Sequence, residues 1–196
     1  MKIIYITNAR IPTEKAHGYQ ICKMCEEFSN IGADVELVIP TRKNYIRKDV
    51  FDYYSLKHNF KVRYVKSPDF LFFDKFFKKA IYLNNLFFLI KSLFLKFQKN
   101  DLIYTRSPEI AWLFSLRKHN VFFEAHNWPC SKSWIYKKML KNVKLLVCNS
   151  NGTADHHIKN GLNNVMVCHN GVDLEKFSIN FDKSYCKKKI GFSDDD

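Results

Sequence analysis

Apolar residues in this chain gather in short runs, and between the runs they recur three and four positions apart. Segment 2–7, KIIYIT, is β-branched and aromatic and predicts a buried first strand. A loop, NARIPTEKAHG, follows. A helix comes next, because Ile21, Met24, Cys25, Phe28 and Ile31 share one helical face, and Gly32 is a natural stop for it. DVELVIP and KVRYVK predict a second and a third strand. DLIYTRS and VFFEAH give two more, with the helical PEIAWLFSLRKH between them. VKLLVCN and NVMVCH complete the series around the helical GTADHHIKNG.

About seven short strands with helices between them require crossover connections, hence a parallel sheet. The fold class expected is α/β, a Rossmann-like doubly wound sheet. Ligands in such sheets bind outside the carboxyl ends of the strands. The loops to inspect are therefore those after Thr7, Arg106, Glu124, Asn149 and Cys168.

Composition narrows the class. The 196 residues fit one large domain, or one domain and a stub, and a hydrophobic content of 46% supplies a core. The net charge of +13 favours anionic partners: a nucleotide, a phospholipid surface or a nucleic acid. Nucleic acid is the weakest of these, since no recognition helix, zinc ligand set or RNP-like stretch occurs. Of the six cysteines, Cys148 lies inside an apolar run, as reduced buried cysteine does. Cys22 and Cys25 form one CxxC, which at helical spacing reads as packing rather than as a redox or metal pair. The N-terminal apolar run is too short for a signal peptide, and none is long enough to span a bilayer. A cytoplasmic protein is expected.

Three loops carry candidate chemistry. Thr13 to Gly18 precede or open the first helix, whose N-terminus would turn free amides toward an anion. Gly18 would let a ligand approach the backbone closely. The loop is not GxGxxG, so a dinucleotide fingerprint is absent; an ordinary turn with a solvated His17 fits the spacing equally. Glu124 and His126 flank Ala125 and point to one side of an extended backbone. His126 there can hold a sugar hydroxyl or shuttle a proton, or it can pack under Trp128 and Trp134. Arg106 can grip a phosphate or carboxylate, or pair with Glu109 or Glu124.

Four segments, NARIPTEKAHGYQICKMCEEFSNIGADVELVIP, DLIYTRSPEIAWL with FFEAHNWP, KLLVCNSNGTADHHIKNG, and VMVCHNGVDLEKF, together resemble the N-terminal half of a family 4 retaining glycosyltransferase of GT-B fold. The last of them looks like the family's NGVD…F signature and is the most specific. The resemblance implies a two-domain enzyme with donor and acceptor in the cleft between lobes. It transfers a sugar from a nucleotide-diphosphate sugar to an acceptor hydroxyl of a polysaccharide, lipid-linked or cell-envelope glycan. By match to motif, Gly18 and His17 would lie against the donor diphosphate, and His126 would be the sugar-contacting His. Asn170, Gly171 and Asp173 would shape the hinge-side turn. His17 stands where the family has the first glycine of a pair. No cofactor or metal is expected, and no Asp-x-Asp occurs.

The expected division is an N-terminal GT-B domain over 1–183 and a linker, opening a missing C-terminal donor domain, over 184–196. Alone, the fragment should transfer sugar poorly, because half of the transition-state stabilisation is absent. Segment 70–100 reads as a long apolar helix with a polar stripe through Lys78, Tyr82, Asn85, Ser92, Lys96 and Lys99. It either packs on the sheet with its lysines outward or lies in an anionic membrane surface. A non-catalytic anion- or membrane-surface-binding module that keeps only the fold is the alternative function.

Overall fold

A computed structural model describes residues 1–70, 80–174 and 181–193, with the Ile81 side chain outside the description. Seven strands form one sheet: β1 (Lys2–Ile6), β2 (Asp34–Pro40), β3 (Lys61–Val65), β4 (Leu102–Thr105), β5 (Asn120–Ala125), β6 (Leu145–Cys148) and β7 (Val165–Val167). Their spatial order is β3-β2-β1-β4-β5-β6-β7, and every neighbouring pair is parallel. The helices are α1 (Ala16–Asn30), α2 (Val50–Tyr54), α3 (Ala80–Leu93), α4 (Pro108–Leu116), α5 (Ser133–Leu140), α6 (Asn151–Lys159) and α7 (Lys183–Lys189). The doubly wound sheet expected from the alternating runs is the sheet observed.

Strand alternation sorts the core into two clusters. Ile4, Ile6, Ile103 and Phe123 face one side, against Phe88 of α3, Ile110 and Phe114 of α4, Leu140 of α5 and Ala154 of α6. Ile3, Tyr5, Leu37 and Tyr104 face the other side, against Ile21, Cys22 and Cys25 of α1 and Val50 and Tyr54 of α2. Four helices therefore roof one face and two roof the other. Each fully buried aliphatic side chain contributes roughly 1.5–3 kcal/mol. Cys22 and Cys25 are free thiols packed in the second cluster, and burial pushes the Cys22 thiol up to about 12, so the CxxC is packing. Gly32 ends the α1 region with a φ of 90°, as expected of a helix stop.

Segment 70–100 departs from expectation. Among the described residues its helix runs only from Ala80 to Leu93, and Lys96 and Lys99 lie beyond it; Lys78 lies outside the described residues. Of the stripe expected to be polar and outward, Tyr82, Asn85, Lys96 and Lys99 are exposed and Ser92 is buried. Ser92 is 0% exposed, and its hydroxyl donates to the Phe88 carbonyl at 2.7 Å. Asn84 is also buried, accepting from the Phe70 amide at 2.9 Å. Leu83, Leu86, Ile90 and Leu93 are exposed as well. The loop after β3 claims Asn84 and Ser92 bonds back to its own helix, and no periodicity rule anticipates either contact. No helix among the described residues is long and apolar enough to cross a membrane.

Candidate functional site

β1 is the strand from which the chain departs in both directions, to β2 on one side and to β4 on the other. The crevice of a doubly wound sheet opens at that switch point. The Thr105 hydroxyl donates to the Ile6 carbonyl at 2.7 Å and locks the ends of β1 and β4 together. Pro108 then opens α4, which frees Arg106 to turn back over the rim.

Glu124, buried at the end of β5, is the centre of the site. The Arg106 guanidinium donates to its Oε1 at 2.6 Å. The ring Nε2 of His126 donates to the same oxygen at 2.9 Å. The Tyr5 hydroxyl donates to Oε2 at 3.3 Å from within the core. Burial pushes the Glu124 carboxyl up, but the hydrogen bonds from His126 and Arg106 and the guanidinium charge outweigh it and hold it below the usual range. Burial and the nearby Glu124 push the Tyr5 phenol well up, so it stays a donor. Of the two carboxylates open to Arg106 in the sequence, the structure selects Glu124.

The carboxylate also fixes the His126 tautomer. Nε2 must carry the proton it gives to Glu124, so in the neutral ring Nδ1 is an acceptor. Nδ1 faces the side-chain amide of Asn149 at 3.3 Å. The Thr153 hydroxyl donates to the Asn149 carbonyl oxygen at 3.0 Å, which turns the amide nitrogen toward the ring. This Nδ1 contact is the long, weak link of the chain, and a ligand hydroxyl can replace it.

On the other side the chain of contacts runs into α1. Arg106 donates to the Gln20 carbonyl oxygen at 3.2 Å, and the Gln20 amide donates to Asn170 Oδ1 at 2.8 Å. Lys23, one turn on, pairs with Asp173 at 3.5 Å. A cleft of about 1020 Å³ opens between α1 and segment 168–174, with Tyr104, Glu124, Val147 and Asn149 in its floor. Asn170, Gly171 and Asp173 line one wall of it. Gly171 has no positive φ, and the segment runs along the cleft, tied to α1 by side chains. Phe177 lies outside the described residues.

A Cβ on Gly18 would overlap the Tyr54 hydroxyl and the Thr13 methyl, and the Gly18 amide already donates to the Lys15 carbonyl at 3.0 Å. The close packing of α1 on Thr13 and Tyr54 by itself requires glycine at position 18. His17 is exposed in the first turn of α1. Burial, Lys15 and Arg106 lower its pKa, so it is neutral at pH 7 and within electrostatic reach of Arg106. Lys15 at the N-cap makes no side-chain capping bond, which leaves first-turn amides open to an anion.

Glu124 of the expected residues stands in the cleft floor, while Arg106 and His126 reach it through their bonds to Glu124. Gln20 and Asn149 were not singled out from the sequence. Asn149 had a signal, its place at the carboxyl end of β6; Gln20 had none, because its role depends on the pose of α1. Among the described residues no three His, Cys, Asp or Glu side chains group to hold a metal ion. No curated protein matches the chain. Residues 18–176 match the model of Glycosyltransferase Family 4, a span that takes in α1 from Gly18 on, the Arg106–Glu124–His126 cluster and the cleft wall. The chain therefore belongs to glycosyltransferase family 4.

Proposed function

We propose that the chain forms the acceptor-side lobe of a retaining glycosyltransferase that moves a sugar from a nucleotide-diphosphate donor to an acceptor hydroxyl of a polysaccharide, lipid-linked or cell-envelope glycan. The observation that carries the reading is the side-chain path Gln20–Arg106–Glu124–His126–Asn149 along the rim of the cleft. In this reading the donor sugar lies over His126. One of its hydroxyls displaces the Asn149 amide and donates to Nδ1, and Glu124 keeps the opposite nitrogen protonated so that Nδ1 stays an acceptor. His126 thus orients the sugar ring. With Nε2 donating to Glu124, Nδ1 keeps its lone pair, and this reading assigns that lone pair to a sugar hydroxyl rather than to proton abstraction.

Bond cleavage places negative charge on the leaving diphosphate, and fixed positive groups lower that barrier. The open amides of α1 with the Lys15 ammonium are this lobe's contribution, and the neutral His17 can add a hydrogen bond but no charge. Arg106 contributes less, since Glu124 already balances its charge. The remaining cations belong to a second lobe, which we propose follows α7. Transfer then needs both lobes and no metal, and it takes place on the cytoplasmic side.

The test uses the enzyme expressed from the complete reading frame, with transfer of labelled sugar as readout. His126→Ala is expected to lower kcat by about 10²-fold or more, in the range of a lost transition-state contact, with an unchanged melting temperature. Near wild-type turnover would remove His126 from the site. Asn149→Ala is expected to raise KM little or even lower it, because the sugar no longer competes with the amide for Nδ1.

A further inference from the structure

The outer surface of α3 is unusually apolar for a helix packed on a sheet. Its inward face carries Phe88 together with the buried polar residues Asn84 and Ser92, and its outward face carries Leu83, Leu86, Ile90 and Leu93 beside Tyr82, Asn85 and Lys91. These outward positions are spaced three and four apart and make one continuous stripe. Leu86 is 50% exposed. α4 lies beside α3 in the same layer and extends the surface with Trp112, 37% exposed, and Leu116, 53% exposed. Arg117 at the end of α4 donates to the Leu93 carbonyl at 3.2 Å, which ties the two helices into one plate. A plate this apolar marks an interaction surface.

Charge selects the occupant. No acidic residue occurs from Ala80 to Asn100, whereas Lys91, Lys96 and Lys99 are exposed there and Lys118 is exposed just past α4. Among the described residues no carboxylate pairs with any of these four lysines. A second copy of the chain would bring the same cations against one another. An anionic lipid surface meets both features, taking Leu, Ile and Trp side chains at the headgroup boundary and lysines at the phosphates. At 14 residues α3 is too short to span a bilayer, so it would lie in the interface plane. We propose that the outer face of α3 and α4 docks the protein on an anionic bilayer surface. This docking is independent of the glycosyl-transfer reading, because no site residue takes part in it.

Co-sedimentation of the full chain with phosphatidylcholine vesicles, with and without phosphatidylglycerol, tests the proposal. Binding is expected only with the anionic lipid, and added salt should weaken it. Leu86→Glu with Ile90→Glu should reduce binding by tenfold or more, since two outward apolar anchors are lost. Lys91→Glu and Lys96→Glu should each cost about fivefold and leave the apolar stripe intact, which keeps the test decisive if the first pair fails to fold. Trp112 fluorescence, isolated by Trp112→Phe, should shift to the blue on binding. Equal binding to both vesicle types, no binding to anionic vesicles at low salt, or full binding by the folded Leu86→Glu and Ile90→Glu protein would overturn the proposal. So would a chain dimer abolished by those same two substitutions, because a second copy would then cover the face.

Discussion

The two faces of the sheet are built from the same alternating strands and end up doing different work. Four helices roof one face, and Phe88, Ile110, Phe114 and Leu140 close it into a dry layer. Only α1 and α2 roof the other, and they cover β1 to β3 more fully than β5 to β7. Where the second roof stops, Tyr104, Glu124 and Val147 become the floor of a cleft. A polar group under the complete roof must find its partners inside the protein, whereas Glu124 under the incomplete one sits beside open space. The candidate site is thus set by where helix coverage ends.

Substitutions on the two faces should separate these roles. The largest expected loss is on the roofed face. Phe114→Ala removes a fully buried ring and should cost about 3–5 kcal/mol of stability in denaturant titration, while the folded fraction retains the Glu124–His126 contact in NMR spectra of the imidazole. If the cleft residues shift as strongly as the core, the two faces are not separable.

Next is Glu124→Gln, which leaves the Arg106 guanidinium buried without its counter-charge and should cost about 3 kcal/mol. Arg106→Gln on that background should recover part of the loss, and a double-mutant cycle measures how much. Additive costs would mean that the pair is not a unit. Gly18→Ala should cost about 1–3 kcal/mol, because α1 must move off Thr13 and Tyr54 to admit a methyl group. Tyr54→Phe in that background should recover little, since the Thr13 methyl still blocks the same volume.

The smallest effect is visible only with pH, and it distinguishes the faces by window. On the roofed face, His157 is fully buried, with Nδ1 donating to the Thr153 carbonyl at 2.8 Å and Nε2 accepting from the Tyr136 hydroxyl at 3.1 Å. Burial lowers its pKa. The unfolded chain takes up that proton first, so stability is complete above about pH 6.5 and falls as the pH drops below it. On the open face, the Glu124 carboxyl is lowered below its ordinary value of about 4.3. Its contribution is complete above that value and is lost as the pH falls through the lower folded pKa. Thermal melts of wild type, His157→Gln and Glu124→Gln should flatten the neutral-to-mildly-acid limb and the strongly acid limb respectively. One substitution flattening both limbs would show that the two groups are coupled across the sheet.

Much of this was legible in residue order. β-branched and aromatic runs alternating with helical spacing demanded a parallel sheet, while the strand order came only from the structure. The i, i+2 relation of Glu124 and His126 put both on one side of β5, and they are 2.9 Å apart. Local geometry alone carries these features, since a pleat alternates and a helix repeats wherever it lies. The rest needed the assembled fold. Arg106 chose Glu124 over Glu109 because α4 carries Glu109 away while β5 lies next to β4. Gly18 serves Tyr54, a residue 36 positions away that only the pose of α2 brings near. Asn84 of α3 is buried because the loop after β3 brings the Phe70 amide to it. Periodicity reports which residues share a face, but it does not report what that face will meet; that depends on contacts between segments far apart in the chain, and only the tertiary structure decides them.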